Sequence, residues 1–203
     1  TYQRQIVRAV AKGVDKDRIS TELKYLVSSY EAFQSDQSSV IQDEREEIAR
    51  LLNELAAQYE TELEKGQDIK LRNLAQNIFG YYLRLFPEAS GRSRMLQMHA
   101  KLLYGLEKYA EAAVEFEEIY RSEKDEKIRK GAAYLAFQCY FVTLETKTVK
   151  VKFTGDVGEK MELPAHVQAF VHAVDRLFEI GEGTPEEQVL ARYNAGRQLF
   201  EYN

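Results

Sequence analysis

The sequence predicts an all-α protein built from antiparallel helix pairs. Apolar residues recur with a 3.6-residue period along most of the chain, which is typical of helices with one buried face. The only three prolines, Pro87, Pro164 and Pro185, lie at predicted helix boundaries, where proline is tolerated. Alanines recur at a regular interval, since Ala136 follows Ala100 by 36 residues. These observations together indicate an α-solenoid of helix-turn-helix repeats.

The clearest helix pair covers residues 96–120 and turns at Glu107 and Lys108. We expect the two helices to approach closely, because Ala100 in the first and Ala112 in the second carry almost no side chain. Such a pair cannot bury its apolar faces alone, so neighbouring copies are expected on both sides.

Three segments repeat the spacing of small and bulky apolar residues that this pair shows. They contain Ala75, Phe79, Tyr82 and Pro87; Tyr109, Ala112 and Phe116; and Ala173, Leu177, Ile180 and Pro185. The pattern resembles the tetratricopeptide repeat (TPR), a helix-turn-helix unit of 34 residues. The resemblance implies a right-handed α-solenoid of TPR-like repeats, whose concave face holds a protein or peptide partner.

The pattern also divides the chain. Residues 1–39 are predicted to form N-terminal helices that serve as a degenerate repeat or cap, and residues 40–203 the TPR-like repeats. We assign the repeats to residues 40–87, 88–122, 123–183 and 184–203. The last is a truncated repeat, because the chain stops where its second helix should follow. Since the chain also opens on Thr1 without an initiating methionine, we expect the natural protein to continue beyond both ends.

An insertion near residues 146–163 interrupts the third repeat. Alternating apolar and lysine residues at 149–153, followed by a glycine-containing turn, predict a short β-like hairpin. A flexible connecting loop is the alternative. The insertion explains why Ala136 and Ala195 are 59 residues apart, well above the 36 seen earlier. Its lysines either contact an acidic partner or protect an exposed edge strand.

Composition and charge restrict the possible functions. The net charge of -5 gives no reason to expect nucleic acid as a partner, because phosphate binding needs a concentrated basic surface. The longest nearly apolar run, residues 132–144, is too short to span a bilayer and predicts a buried helix. A single cysteine, Cys139, lies in that run and is expected to be an inert core thiol.

No catalytic constellation is recognisable in the sequence. His166 and His172 are six residues apart, which differs from the i, i+4 spacing of a zinc-binding pair. We therefore expect a non-enzymatic protein without catalytic residues, metal or cofactor. The carboxylate pairs are predicted to be solvated helix faces: Asp43-Glu44, Glu46-Glu47, Glu117-Glu118 and Glu186-Glu187.

The TPR resemblance assigns a partner-binding groove to the first helix of each repeat. Its predicted residues are Arg94, Gln97, Lys101, Tyr104, Lys130, Ala133, Phe137, Tyr140, Arg192 and Leu199. This mixed basic and aromatic set differs from the lysine-and-asparagine clamp by which cytosolic chaperone adaptors hold a C-terminal carboxylate. For Tyr104, Phe137 and Tyr140, packing between repeats is the alternative.

The run at residues 78–120, in which one repeat ends in phenylalanine-proline, resembles cell-envelope TPR proteins of Gram-negative bacteria. These include outer-membrane assembly lipoproteins, cell-division coordinators and gliding-motility scaffold proteins. The resemblance implies a periplasmic or outer-membrane-associated scaffold that holds another envelope component. The alternative is a cytoplasmic adaptor or regulatory sensor that binds a peptide segment of a signalling partner. A signal sequence in the full-length protein would distinguish the two.

Overall fold

The structure, a computed structural model, describes residues 2–11, 15–33, 39–63, 66, 68–147 and 163–201. These residues form helices and connecting turns without a strand, which confirms the predicted all-α class. The helices in these ranges are α1 (Tyr2–Ala11), α2 (Lys16–Phe33), α3 (Ser39–Leu63), α4 (Ile69–Leu85), α5 (Arg92–Gly105), α6 (Tyr109–Ser122), α7 (Glu126–Lys147), α8 (Ala165–Ile180) and α9 (Pro185–Glu201).

The chain divides into two compact units, Thr1–Leu102 and Leu103–Asn203, and the division falls within α5. The predicted insertion near 146–163 lies almost wholly outside the described residues, because α7 continues to Lys147 and the description resumes at Leu163. None of the helices in the described ranges is both long enough and apolar enough to cross a membrane.

In the first unit, helices pack both within and between successive pairs. Helix α1 contacts α2, and α3 contacts α4; in addition α1 contacts α3, and α2 contacts α4. Ion pairs reinforce two of these contacts. The Arg4 guanidinium bonds Glu47 at 2.6 Å across α1 and α3, and Lys70 bonds Asp17 at 2.6 Å across α4 and α2. Helices α1 and α2 therefore pack with α3 and α4 in one unit.

The predicted turn between α5 and α6 is confirmed. The Lys108 N–H donates to the Leu103 carbonyl at 3.0 Å, and the Glu107 N–H donates to the Tyr104 carbonyl at 3.0 Å. This pattern, with Glu107 at a φ of 59°, is a Schellman motif that ends α5 and lets the chain reverse into α6.

The small residues of the repeat pattern are buried, as expected. Each alanine that the pattern predicts at a helix contact has little or no exposed surface: Ala75, Ala100, Ala112, Ala136, Ala173 and Ala195. In the second unit, α7 packs against both α6 and α8, and α8 packs against α9. Cys139 is also fully buried, and burial raises the pKa of its thiol to about 12, so the reactive thiolate is not populated at neutral pH.

The prediction that Glu117 belongs to a solvated helix face is wrong. Glu117 of α6 is only 7% exposed, and its carboxylate accepts hydrogen bonds from Arg176 of α8 at 2.8 Å and Arg121 at 2.7 Å. The Arg176 guanidinium also lies over the Tyr120 ring, 4.7 Å from its centroid. Burial acts to raise the Glu117 pKa, but the two arginines outweigh it and hold the pKa below its ordinary value. Glu117 thus ties α6 to α8.

We expect Ala112→Leu to destabilise the protein by roughly 1–3 kcal/mol, because the larger side chain enters a contact without room for it. Ala110→Leu is the matched control: Ala110 is exposed on the same helix, so its substitution should cost at most about 0.5 kcal/mol. Urea unfolding followed by circular dichroism at 222 nm measures both. Equal midpoints for the two variants would contradict the close contact at Ala112.

Glu117 should also make stability depend on pH. Its folded-state pKa lies below the ordinary value of 4.5. Its contribution to the free energy of unfolding is therefore complete above pH 4.5 and is lost as the pH falls through the folded-state pKa. Glu117→Gln should reduce the free energy of unfolding by about 3 kcal/mol at neutral pH and flatten this acid limb. Exposed Glu111, as Glu111→Gln, is the control on the same helix. An acid limb unchanged by Glu117→Gln would contradict the assignment.

Candidate partner-binding site

The second unit contains a pocket of about 300 Å³, which we call the aromatic pocket. Its lining comes from the end of α5, the middle of α7 and the first half of α9. The lining residues are Tyr104, Phe137, Gln138, Phe141, Val142, Glu187, Leu190 and Ala191. The volume is at the lower end of the range in which proteins bind small ligands.

One face of α7 supplies half of the lining. Phe137, Gln138, Phe141 and Val142 are spaced i, i+1, i+4 and i+5, so they share one side of the helix. Residues 132–144 are nearly all apolar, which is more than one core-facing stripe of a helix requires. Three of these apolar residues, Phe137, Phe141 and Val142, line the pocket.

Three aromatic rings packed against one another form the inner wall of the aromatic pocket. The ring centroids of Phe137 and Phe141 are 6.1 Å apart, and each lies 6.1–6.2 Å from the ring of Phe170 on α8. Phe170 has no exposed surface. These separations fall in the favourable range for aromatic pairs. The wall is therefore held in place by the core before any ligand arrives.

Three further residues line the pocket on the α5 and α9 sides. Tyr104 is half-buried and meets the rings of Tyr109 and Phe116 edge-on, at 5.5 Å and 6.5 Å between centroids. Ala191 is fully buried, and its small side chain leaves the space that a larger residue would fill. Next to it on α9, Leu190 lines the pocket while remaining 51% exposed, so it can contact a ligand directly.

Glu187 places a carboxylate in this otherwise uncharged lining. The Thr184 N–H donates to Glu187 Oε2 at 2.7 Å, and the Glu187 N–H donates to Thr184 Oγ1 at 3.2 Å, which is the capping box expected from the Thr-Pro-Glu-Glu sequence. The Tyr134 hydroxyl donates to Glu187 Oε1 at 2.7 Å. The hydrogen bond from the Thr184 N–H is the largest cause that lowers the pKa of Glu187, and the bond from the Tyr134 hydroxyl lowers it further. The carboxylate is therefore ionised at neutral pH and fixed in orientation.

Of the predicted groove residues, Tyr104 and Phe137 come together in the aromatic pocket. Phe137 is only 6% exposed, so the alternative of core packing also holds for it. Tyr140 lies on a different face of α7 from Phe141. Its hydroxyl pKa is raised to about 12, mainly by burial and to a smaller extent by the charge of Glu117. Ala133 is buried and Leu199 half-buried, and neither lines the pocket.

The predicted basic residues do not line the aromatic pocket. Lys130 pairs with Glu126 one turn earlier on α7, at 2.9 Å, and the Arg192 guanidinium lies 3.6 Å from the centroid of the Phe178 ring.

In the first unit, Arg94 pairs with Glu60 at 2.6 Å, Gln97 donates to the Ser93 hydroxyl at 3.3 Å, and Lys101 is exposed. The residues that the sequence prediction missed are Gln138, Phe141, Val142, Glu187, Leu190 and Ala191. The apolar surplus of residues 132–144 was the signal for Phe141 and Val142.

In the described ranges, no group of three or more histidine, cysteine or acidic side chains could hold a metal ion. No protein-family model matches this sequence, and no curated protein matches it either. The TPR resemblance therefore rests on the residue pattern described above.

The Tyr134 hydroxyl should be required to hold Glu187 in place. We expect Tyr134→Phe to cost about 1.5 kcal/mol in unfolding free energy, because the mutation removes a hydrogen bond to a charged group. The Glu187 pKa, measured by NMR titration of side-chain carboxyl carbons, should rise in the variant. Tyr193→Phe serves as the control, since Tyr193 is 65% exposed on α9. An unchanged Glu187 pKa would show that Tyr134 does not orient this carboxylate.

Proposed function

We propose that this chain is a non-catalytic protein-protein interaction module and that the aromatic pocket receives a segment of its partner. The observation that carries this proposal is the combination of a rigid aromatic wall with an exposed apolar residue, Leu190, and one fixed carboxylate. Apolar pockets with a few oriented polar groups are the usual form of binding sites.

We also infer that the helix pairs are TPR-like repeats stacked as a right-handed α-solenoid. In the first unit, α1 packs beside α3 and α2 beside α4, so the first and second helices of successive pairs form separate layers. In the second unit, Glu117 and Arg176 join the second helices of two pairs. The pocket, by contrast, is built from α5, α7 and α9, which are the first helices. Helical repeat proteins bind their partners on such a layer.

The cellular setting follows from resemblance alone. Similarity to the envelope TPR proteins supports a periplasmic or outer-membrane-associated scaffold, with another envelope component as its partner. The test is the N-terminus of the full-length protein. A signal sequence, with or without a lipid-attachment cysteine, supports the envelope, and its absence supports the cytoplasmic adaptor.

Leu190 and its neighbour provide a matched test of the pocket. The protein and two variants, Leu190→Glu and Val189→Glu, are used as bait in extract from the source organism, and captured proteins are quantified by mass spectrometry. Both residues are exposed on α9, at 51% and 70%, but only Leu190 lines the aromatic pocket. We expect Leu190→Glu to reduce partner capture at least tenfold, because it replaces the exposed apolar contact at the pocket with a charged, hydrated side chain. Val189→Glu should capture the partner normally.

Circular dichroism and unfolding midpoints control for folding, since exposed substitutions usually change stability by at most about 0.5 kcal/mol. If folded Leu190→Glu captures the same proteins as the wild type, the pocket is not the binding site. The double variant Arg94→Glu and Lys101→Glu then tests the basic stripe of α5 that the sequence predicts.

A further inference from the structure

We propose that the aromatic pocket selects a partner segment carrying a large apolar side chain beside a lysine or arginine, which pairs with Glu187. This inference rests on the proposed function and specifies the partner's chemistry. It also predicts that the pocket disfavours acidic segments and free C-terminal carboxylates, which a basic groove would favour.

The charge of the lining sets this preference. Among the lining residues, Glu187 carries the one formal charge, and none is basic. Its carboxylate has two oxygens that together accept about four hydrogen bonds. Tyr134 and the Thr184 N–H occupy one site on each oxygen, so acceptor capacity remains for a ligand.

In the described part of the chain, no cation neutralises Glu187. Its hydrogen bonds come from the Tyr134 hydroxyl and the backbone N–H of Thr184. Two basic residues elsewhere in the same unit have other contacts, Lys130 with Glu126 and Arg192 with the Phe178 ring. A partner that covers the pocket without offering a donor therefore buries an ionised carboxylate incompletely paired, which is costly. A partner lysine or arginine removes that cost.

The aromatic rings of the pocket wall determine which apolar side chain the pocket can accept. Phe137 and Phe141 are fixed against Phe170, and Leu190 remains half-exposed at the pocket. A cavity of about 300 Å³ suits one large side chain rather than an extended lipid. Aromatic residues and arginine are also the side chains that most often dominate protein interfaces. The preferred segment thus combines an aromatic or leucine anchor with a basic neighbour.

The test uses three acetylated and amidated 12-residue peptides with the same phenylalanine anchor. The residues flanking the anchor are lysine in one, glutamine in the second and glutamate in the third. Binding to the full chain is measured by isothermal titration calorimetry at low salt. We expect affinity to fall in the order lysine, glutamine, glutamate, with at least a tenfold range. Because the pair is electrostatic, 0.5 M salt should reduce this range severalfold.

Two variants assign the preference to one carboxylate. Glu187→Gln should reduce the difference between the lysine and glutamine peptides to less than twofold. Glu186→Gln removes the same charge from the neighbouring, exposed position and should leave the difference intact. If Glu187→Gln fails to fold by circular dichroism, the peptide series and its salt dependence in the wild-type chain decide the matter.

Four results would overturn the inference: equal affinity for the three peptides, preference for the glutamate peptide, tighter binding of a fluorescent fatty acid than of any peptide, and no binding of any peptide at 1 mM. The extract experiment separates these failures from failure of the proposed function. If partner capture still depends on Leu190, the pocket remains the interaction site and only the cationic preference is wrong. If that dependence is also absent, both proposals fail.

Discussion

The close packing of helices through small side chains is the constraint on which the rest of the second unit depends. Ala112, Ala136, Ala173 and Ala191 lie on four different helices and have almost no exposed surface. A helix backbone can approach another closely only where such residues stand, and interiors packed this densely do not tolerate added volume. Ala191 has a second consequence. Its small side chain also lines the aromatic pocket, so packing and the candidate site depend on the same choice of residue.

Two carboxylates in this unit illustrate how surroundings give the same chemical group different roles. Glu117 is buried between Arg176 and Arg121, so its charge is satisfied within the protein and holds α6 to α8. Glu187 is oriented by a tyrosine hydroxyl and a backbone N–H, which fix it without cancelling its charge. A satisfied buried charge contributes to the fold, whereas an oriented and uncancelled charge is available to a ligand. This difference is why we assign recognition to Glu187.

The charge of the aromatic pocket changes the kind of partner that we propose for it. The residue pattern predicts a basic and aromatic groove, which would favour acidic segments. The pocket keeps the aromatic part, through Tyr104 and Phe137, but its charge comes from Glu187. Charge complementarity contributes mainly to specificity and association rate. In our proposal, this reversal of charge therefore concerns the choice of partner more than the affinity for it.

The sequence by itself determined the helical class, the turn at Glu107 and the buried small residues. These features repeat at short spacing along the chain, so a periodic pattern is enough to predict them. Two of the predicted groove residues, Tyr104 and Phe137, line the aromatic pocket. The sequence did not predict the full lining of the pocket. An almost entirely apolar helix can leave any of its faces open, and the helices that pack around it decide which one.

Only the tertiary structure decided the environment of each charged group. Arg176 follows Glu117 by 59 residues, and Glu187 follows Tyr134 by 53, with a further helix and the residues near 146–163 between them. Local periodicity carries no information about such partners. A carboxylate on a predicted helix therefore looks solvated in the sequence, and only its distant neighbours determine whether it is buried in an ion pair or presented to a ligand.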